Sequence, residues 1–306
     1  MEFSSFKDIN ISKIGFGCAS LASTGGGYGF GDVSDKDCDY LVHGAIDRGI
    51  NLFDNAPIYG FGKAEQNLGR ALAGKREKCL IITKCGVNWH ESKRVNMTND
   101  PALCLAQLES SLKRLNTDYI DIYMIHWPDN KIDITDTLTP LIKAQKEGKI
   151  RYLGLSNTTS SDLSDASKIA KIDFLQAESN LFNDSFVEEA SKYFKTSWGT
   201  FDKGILSGSV KKDSHFDKYD CRSWAPWWKK SNWKKRVEKF DEISKILKSN
   251  NIDPATFMIK YNVDYKNIES TLCGFSKPHH LDTLSNLSKI QIDPTLYKNV
   301  EDLLNE

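Results

Sequence analysis

The chain has 306 residues, enough to bury a sizeable core as one large domain or two small ones. Its 41 Lys and Arg balance its 41 Asp and Glu, so no global field favours nucleic acid or an anionic membrane. Seven dispersed cysteines (18, 38, 79, 85, 104, 221 and 273) form no C-x-x-C pair and have no His at metal-finger spacing, so neither a disulfide framework nor a metal site is expected. The first five residues lack the basic-then-apolar run of a signal peptide, and no segment approaches the roughly 18 apolar residues of a membrane span. A cytoplasmic protein is expected.

Short apolar runs alternate with amphipathic ones along the chain. A first strand over 14–17 is followed by Gly25-Gly26-Gly27-Tyr28-Gly29, whose spacing fits neither G-x-G-x-x-G nor a phosphate loop and reads as a flexible turn. A helix over 35–48, stopped at Gly49, leads to a strand over 51–54. Next come a strand over 80–84, a helix over 101–115 with Pro101 at its first turn, and a strand over 119–126. Strands over 152–156 and 174–178 flank a helix over 162–170. A helix over 186–193 precedes a seventh strand over about 196–201. The irregular stretch 210–233 is the candidate lid, followed by a helix over 237–247 and an eighth strand over 271–274. Alternating β and α units imply a parallel sheet covered on both faces, and eight of them imply closure into an α/β TIM (β/α)8 barrel spanning residues 1–306 as one domain. A doubly wound open sheet is the alternative. Within the lid region, Trp227-Trp228-Lys229-Lys230 and Trp233-Lys234-Lys235-Arg236 could stack on bases or lie at a lipid interface. The balanced charge favours a loop folded over a site.

In such a barrel the chemistry lies at the C-terminal ends of the strands. Here the second strand ends at Asp54, the third at Lys84, the fourth at His126 and the fifth at Ser156-Asn157, and Tyr59 follows Asp54 closely. Singly, each has a plain structural reading: a turn cap, a surface charge, a satisfied core histidine, a mouth-covering ring. Together they complement one another. A phenol titrates near 10, a neighbouring ammonium is expected to lower that value, a carboxylate holds the ammonium, and an imidazole can hold a carbonyl oxygen. That is a general-acid assembly for carbonyl reduction, and the hydride must come from a nicotinamide or flavin. Cys85, beside Lys84, reads as a packed thiol in preference to a nucleophile.

At these residues the chain closely resembles the aldo-keto reductases over nearly its whole length. The motifs are 49–56 (Gly-Ile-Asn-Leu-Phe-Asp-Asn-Ala) with Tyr59-Gly60, Glu65 through Leu72, Ile82-Thr83-Lys84-Cys85-Gly86, 111–115, 118–123, His126-Trp127, 148–151, Gly154-Leu155-Ser156-Asn157 and 204–208. Thr83-Lys84-Cys85-Gly86 with Trp89 places it nearest the bacterial inositol-operon reductases. The resemblance implies a catalytic tetrad of Asp54, Tyr59, Lys84 and His126. It implies that Ser156 and Asn157, with Gln176 beside them, hold the nicotinamide carboxamide of NADP(H), with NAD(H) as the alternative, and that Trp198 stacks under the ring. Phe201, Gly204 and Leu206 would wrap the pyrophosphate, and Gly274, Ser276, Lys277 and His280 would meet the adenosine end. The sequence departs from the family in the shortened stretch before the seventh strand. It departs also at Ser276, where many members carry arginine, at His280, which replaces a glutamine, and at Leu284, which replaces an asparagine. Trp89, Trp127 and the Trp224–Trp228 loop are expected to wall a small polar carbonyl or alcohol substrate, such as a sugar or cyclitol. Two other classes remain open: a lyase forming a Schiff base on Lys84, and a non-catalytic nicotinamide-binding partner like the potassium-channel beta subunits.

Overall fold

A computed structural model describes residues 1–285 and 287–304. Its eight parallel strands are β1 (Ile14–Gly17), β2 (Leu52–Asp54), β3 (Leu80–Cys85), β4 (Ile120–Ile125), β5 (Ile150–Ser156), β6 (Ile172–Asn180), β7 (Phe194–Trp198) and β8 (Ser270–Cys273). Each pairs with the next, as in Phe53↔Ile81 and Thr83↔Tyr123, and Cys273↔Phe16 returns β8 to β1, closing the barrel. The strands carry near-continuous apolar runs because both faces are covered. Inward side chains, including Leu52, Ile82, Ile122, Met124, Phe174 and Leu272, fill the centre. Outward ones, including Phe53, Ile81, Tyr123 and Leu153, meet the helices.

Five helices follow the first five strands: α1 (Asp35–Asp47), α2 (Lys63–Ala71), α3 (Pro101–Leu115), α4 (Ile134–Lys146) and α5 (Ser160–Ile169). Their starts are written in local chemistry. Ser34 accepts from the Asp37 amide before α1, and Asp100 accepts from the Leu103 amide before α3, whose first residue is Pro101. Gly69 in α2 is demanded by packing, since a Cβ there would lie 2.6 Å from the Leu115 carbonyl oxygen at the end of α3.

The helix expected over 186–193 is absent. Instead β6 runs into a short antiparallel strand, Asn183–Asp184, paired back on Ser179 and Asn180, and a 3-10 turn, Glu188–Lys192, then leads to β7. After β7 come a lid containing the short helix α6 (Pro226–Lys230), then α7 (Trp233–Ser249) and α8 (Pro254–Lys260), and α9 (Pro294–Leu304) ends the described chain. The antiparallel pair Phe3–Phe6 and Ile9–Ser12 closes the lower end, where Phe6 packs on Tyr152, Phe174 and Phe194. A second antiparallel pair, Val87–Trp89 with Val95–Met97, rises from the end of β3 beside the mouth.

Candidate active site

The second, third and fourth strands run out at the same end of the barrel, so the residues at their ends converge. Lys84 is fully buried, and its Nζ donates to Asp54 Oδ1 at 2.8 Å, to Oδ2 at 2.7 Å and to the Asn55 carbonyl oxygen at 2.9 Å. Three acceptors for three hydrogens leave the ammonium fully satisfied, the condition under which a buried charge is tolerated. The same ammonium lies 5.7 Å from the Tyr59 ring centroid. Tyr59 and His126 meet edge to face at 6.3 Å between ring centroids. The four residues expected from strand ends are therefore one cluster.

Electrostatics correct one expectation. The Tyr59 phenol is held well above its ordinary value of 10, by burial first and then by the Asp54 carboxylate. No lowering by Lys84 offsets these two effects. The phenol thus keeps its proton, which suits a group that must donate one. Burial and then Lys84 push His126 well below 6.5, so its imidazole is neutral and one ring nitrogen can donate to a carbonyl oxygen. Cys85 is a packed thiol, raised well above 9 by burial and by its contact with Cys104.

At the ends of β5 to β7 a second group of residues is locked together. Asn157 adopts a left-handed φ of 54° and spends its amide on the protein. Its Nδ2 donates to the His126 carbonyl at 3.0 Å and to Ser156 Oγ at 3.0 Å, and its Oδ1 accepts from Trp198 Nε1 at 2.9 Å. Asn157 therefore fixes the Trp198 indole, whose face is partly exposed beside Trp127, 6.3 Å away between centroids. A flat heteroaromatic ring fits against that indole. Ser156 keeps its hydroxyl hydrogen to offer, and Gln176 is buried beside Asp54.

The 201–206 turn is wound on itself: the Phe201 carbonyl accepts from both the Gly204 and Leu206 amides, at 2.9 Å and 3.0 Å, and the Leu206 side chain is buried. Its polar offering is instead Lys203, which sequence reading passed over although a lone cation in a glycine-bearing turn next to Trp198 was a visible signal. Lys203 Nζ pairs with Glu178, lies 5.3 Å from the Trp198 ring centroid and faces Trp227 at 6.0 Å. Around the eighth strand end, Gly274 is exposed with nothing within 4 Å of a built Cβ, Lys277 is exposed, and the Ser276 amide donates to His280 Nδ1 at 3.3 Å. This open, cationic edge fits a phosphorylated adenosine. A dinucleotide laid from Trp198 past Lys203 to Lys277 meets a ring face, then an ammonium already paired with Glu178 and Asp202, then the exposed Lys277, so the ring face and the open adenosine edge fit the group.

The expected walls are only partly as read. Trp89 packs tilted against Phe61 at 5.5 Å, and Trp127 shares the mouth with Ile58 and Val87. Trp224 packs on Tyr28 at 5.5 Å, and the Cys221 amide donates to the Gly29 carbonyl at 2.9 Å, so the lid is tied across the mouth to the glycine-rich segment. That segment is a close-packed turn: Gly27 bridges to Tyr59, and a Cβ on it would lie 2.5 Å from the Ile58 carbonyl oxygen. Trp228 is no wall. It is buried under the lid, stacked on Trp233 at 5.4 Å and edge-on to Phe216.

Comparison with known proteins agrees with this arrangement. The family model described as "Aldo/keto reductase family" matches residues 13–305. Aldo-keto reductase YhdN of Bacillus subtilis (strain 168) is 29% identical over 315 residues, covering 99% of this chain and 94% of that protein. The NADH-specific methylglyoxal reductase of Escherichia coli (strain K12) is 26% identical, covering 97% of each chain. Among solved structures, the glycerol dehydrogenase of Gluconobacter oxydans superposes with a TM-score of 0.83 at 30% identity, covering 99% of this chain and 94% of that one. The chain belongs to the aldo/keto reductase family and is an NAD(P)(H)-dependent oxidoreductase acting on carbonyl and alcohol groups.

Proposed function

We propose that this enzyme, folded as one domain over residues 1–306, interconverts a small polar carbonyl compound and its alcohol with Tyr59 as general acid and base. The observation that carries the reading is the buried Asp54–Lys84 pair set against a protonated Tyr59 and a neutral His126. The nicotinamide supplies the hydride when bound. The chain's own residues then do the rest. His126 donates to the substrate oxygen and orients it, and Tyr59 passes its proton to that oxygen as negative charge develops there. The adjacent Lys84 ammonium stabilises the phenolate left behind, and Asp54 holds Lys84 in place. In the reverse direction the same phenolate takes the proton from an alcohol.

Ser156, Asn157, Gln176 and Trp198 frame the nicotinamide end. Phe201, Gly204 and Leu206 shape the turn that carries Lys203 toward the pyrophosphate, and Gly274, Ser276, Lys277 and His280 receive the adenosine. Trp89, Trp127 and Trp224 flank the substrate, and such aromatic faces suit the C–H surfaces of a polyol, sugar or cyclitol. Named relatives accommodate either cofactor, one described with NADP(+) and one as NADH-specific. Here the exposed Lys277 favours NADP(H), as a point charge without the directionality of arginine.

Titrating the tryptophan fluorescence with NADPH and NADH separately tests cofactor choice. Saturable quenching, tighter for NADPH, is expected, and tighter NADH binding would overturn the preference. Tyr59→Phe removes only the transferable proton. It is expected to lose about a hundredfold or more of carbonyl reduction while keeping the wild-type affinity for NADPH, and wild-type turnover in that variant would sink the assignment.

A further inference from the structure

Asp54 has a partner besides Lys84. Gln176 Nε2 lies 2.8 Å from Asp54 Oδ2 and 3.2 Å from Thr196 Oγ1, and all three residues are buried. Asp54 ends β2 and Gln176 sits on β6, opposite one another in the ring of eight, so this hydrogen bond crosses the barrel. The amide's orientation follows from its partners. A carboxylate only accepts, so the group facing Asp54 is the NH2. The Thr196 hydroxyl points its hydrogen at the Leu175 carbonyl, 3.5 Å away, and so accepts from Gln176. Both amide hydrogens are committed, and no described residue donates to Oε1.

We propose that Gln176 is a positioning residue for proton transfer. It holds the Asp54 carboxylate from across the barrel so that both oxygens stay on Lys84, and it thereby offers the nicotinamide carboxamide an acceptor alone. This inference rests on the tetrad reading above. A charge-assisted bond from a fixed donor restrains a carboxylate that would otherwise rotate between one and two contacts with Lys84. Loosening it shifts the ammonium relative to Tyr59 without removing any group that touches substrate.

The test uses Gln176→Leu and Gln176→Glu, with wild type and Tyr59→Phe assayed in parallel. Gln176→Leu keeps the bulk and is expected to lower kcat by about tenfold or more. In Gln176→Glu the new carboxyl faces Asp54 and Lys84, with Tyr59, His126 and Cys18 beyond them and the Glu178–Lys203 pair further along the strand. When protonated it donates one O–H to Asp54; when ionised it repels that carboxylate. Its folded-state pKa is therefore raised, and the stability it contributes is present at low pH and lost as pH rises. Between about pH 5 and about pH 8, kcat of Gln176→Glu is expected to fall relative to wild type. The melting temperature of the cofactor-free variant should fall relative to wild type over the same range. A pH profile and melting curve parallel to wild type, with unaltered kcat in Gln176→Leu and an inactive Tyr59→Phe, would overturn this inference alone. Turnover persisting in Tyr59→Phe would overturn the tetrad reading and this inference with it.

Discussion

His126 is surrounded by reasons not to take up a proton: burial first, then the Lys84 ammonium. In the unfolded chain the same imidazole titrates near 6.5. A group whose folded pKa is depressed contributes stability above its unfolded pKa and loses it as pH falls below that value. Wild-type stability should therefore decline relative to His126→Asn as pH is lowered from about 6.5, by at most about 1.4 kcal/mol per pH unit. Thermal melts of the two proteins across that range check this, and parallel curves would contradict the neutral imidazole. At this scale the sequence was legible where chemistry coincided with strand ends: Asp54, Lys84 and His126 each close an apolar run, and Tyr59 follows in the next loop. What it did not carry was the sense of the electrostatics. The Lys84 ammonium was expected to lower the Tyr59 pKa, yet burial dominates and the Asp54 carboxylate adds to the rise. Nor did it carry the Gln176–Asp54 bond, between residues 122 positions apart.

Among the elements, the lid shows how a tryptophan-rich run can be misread. Trp224, Trp227 and Trp228 look alike in sequence, but Trp228 is buried against Trp233 and Phe216 while Trp227 remains exposed. Trp228→Ala should cost about 3–5 kcal/mol by leaving a cavity under the lid, whereas Trp227→Ala should stay within about 0.5 kcal/mol. Urea denaturation of both variants measures the contrast, and equal losses would mean that Trp228 is not the anchor. The eight strands were readable because doubly covered parallel strands are short apolar runs bounded by turn residues. The helix over 101–115 was readable to the residue, since Pro101 and the 3.6-residue pattern agree with the Asp100 cap. The helix expected over 186–193 failed despite apolar spacing at Phe186, Val187, Ala190 and Tyr193. Periodicity says which face is apolar, but here the chain first pairs Asn183–Asp184 back on the end of β6 and then forms only the 3-10 turn Glu188–Lys192. The hairpin Val87–Trp89 with Val95–Met97 escaped notice because its strands are three residues each with an asparagine in the middle.

For the whole molecule the informative end is the one without chemistry. The barrel closes on itself through β8 and β1, so no strand edge is left in the ring, and its lower opening is plugged by the hairpin Phe3–Phe6 with Ile9–Ser12. Phe6 touches Tyr152 on β5, Phe174 on β6 and Phe194 on β7, while Lys7 at the tip pairs with Asp173 at 3.1 Å. The hairpin therefore ties to strands from the far part of the chain, and the hairpin and barrel should unfold together. Phe6→Ala removes half-buried aromatic contacts with three strands at once and is expected to cost about 2 kcal/mol. In a closed barrel that loss cannot stay local: loosening β5, β6 and β7 at their lower ends loosens the ring that aligns Ser156, Gln176 and Trp198 at the upper ends. Calorimetry of Phe6→Ala should therefore show a single transition moved to lower temperature, with the calorimetric and van't Hoff enthalpies still equal. A low-temperature shoulder beside an unmoved main peak would show instead that the hairpin melts by itself and that the barrel is a separate cooperative unit.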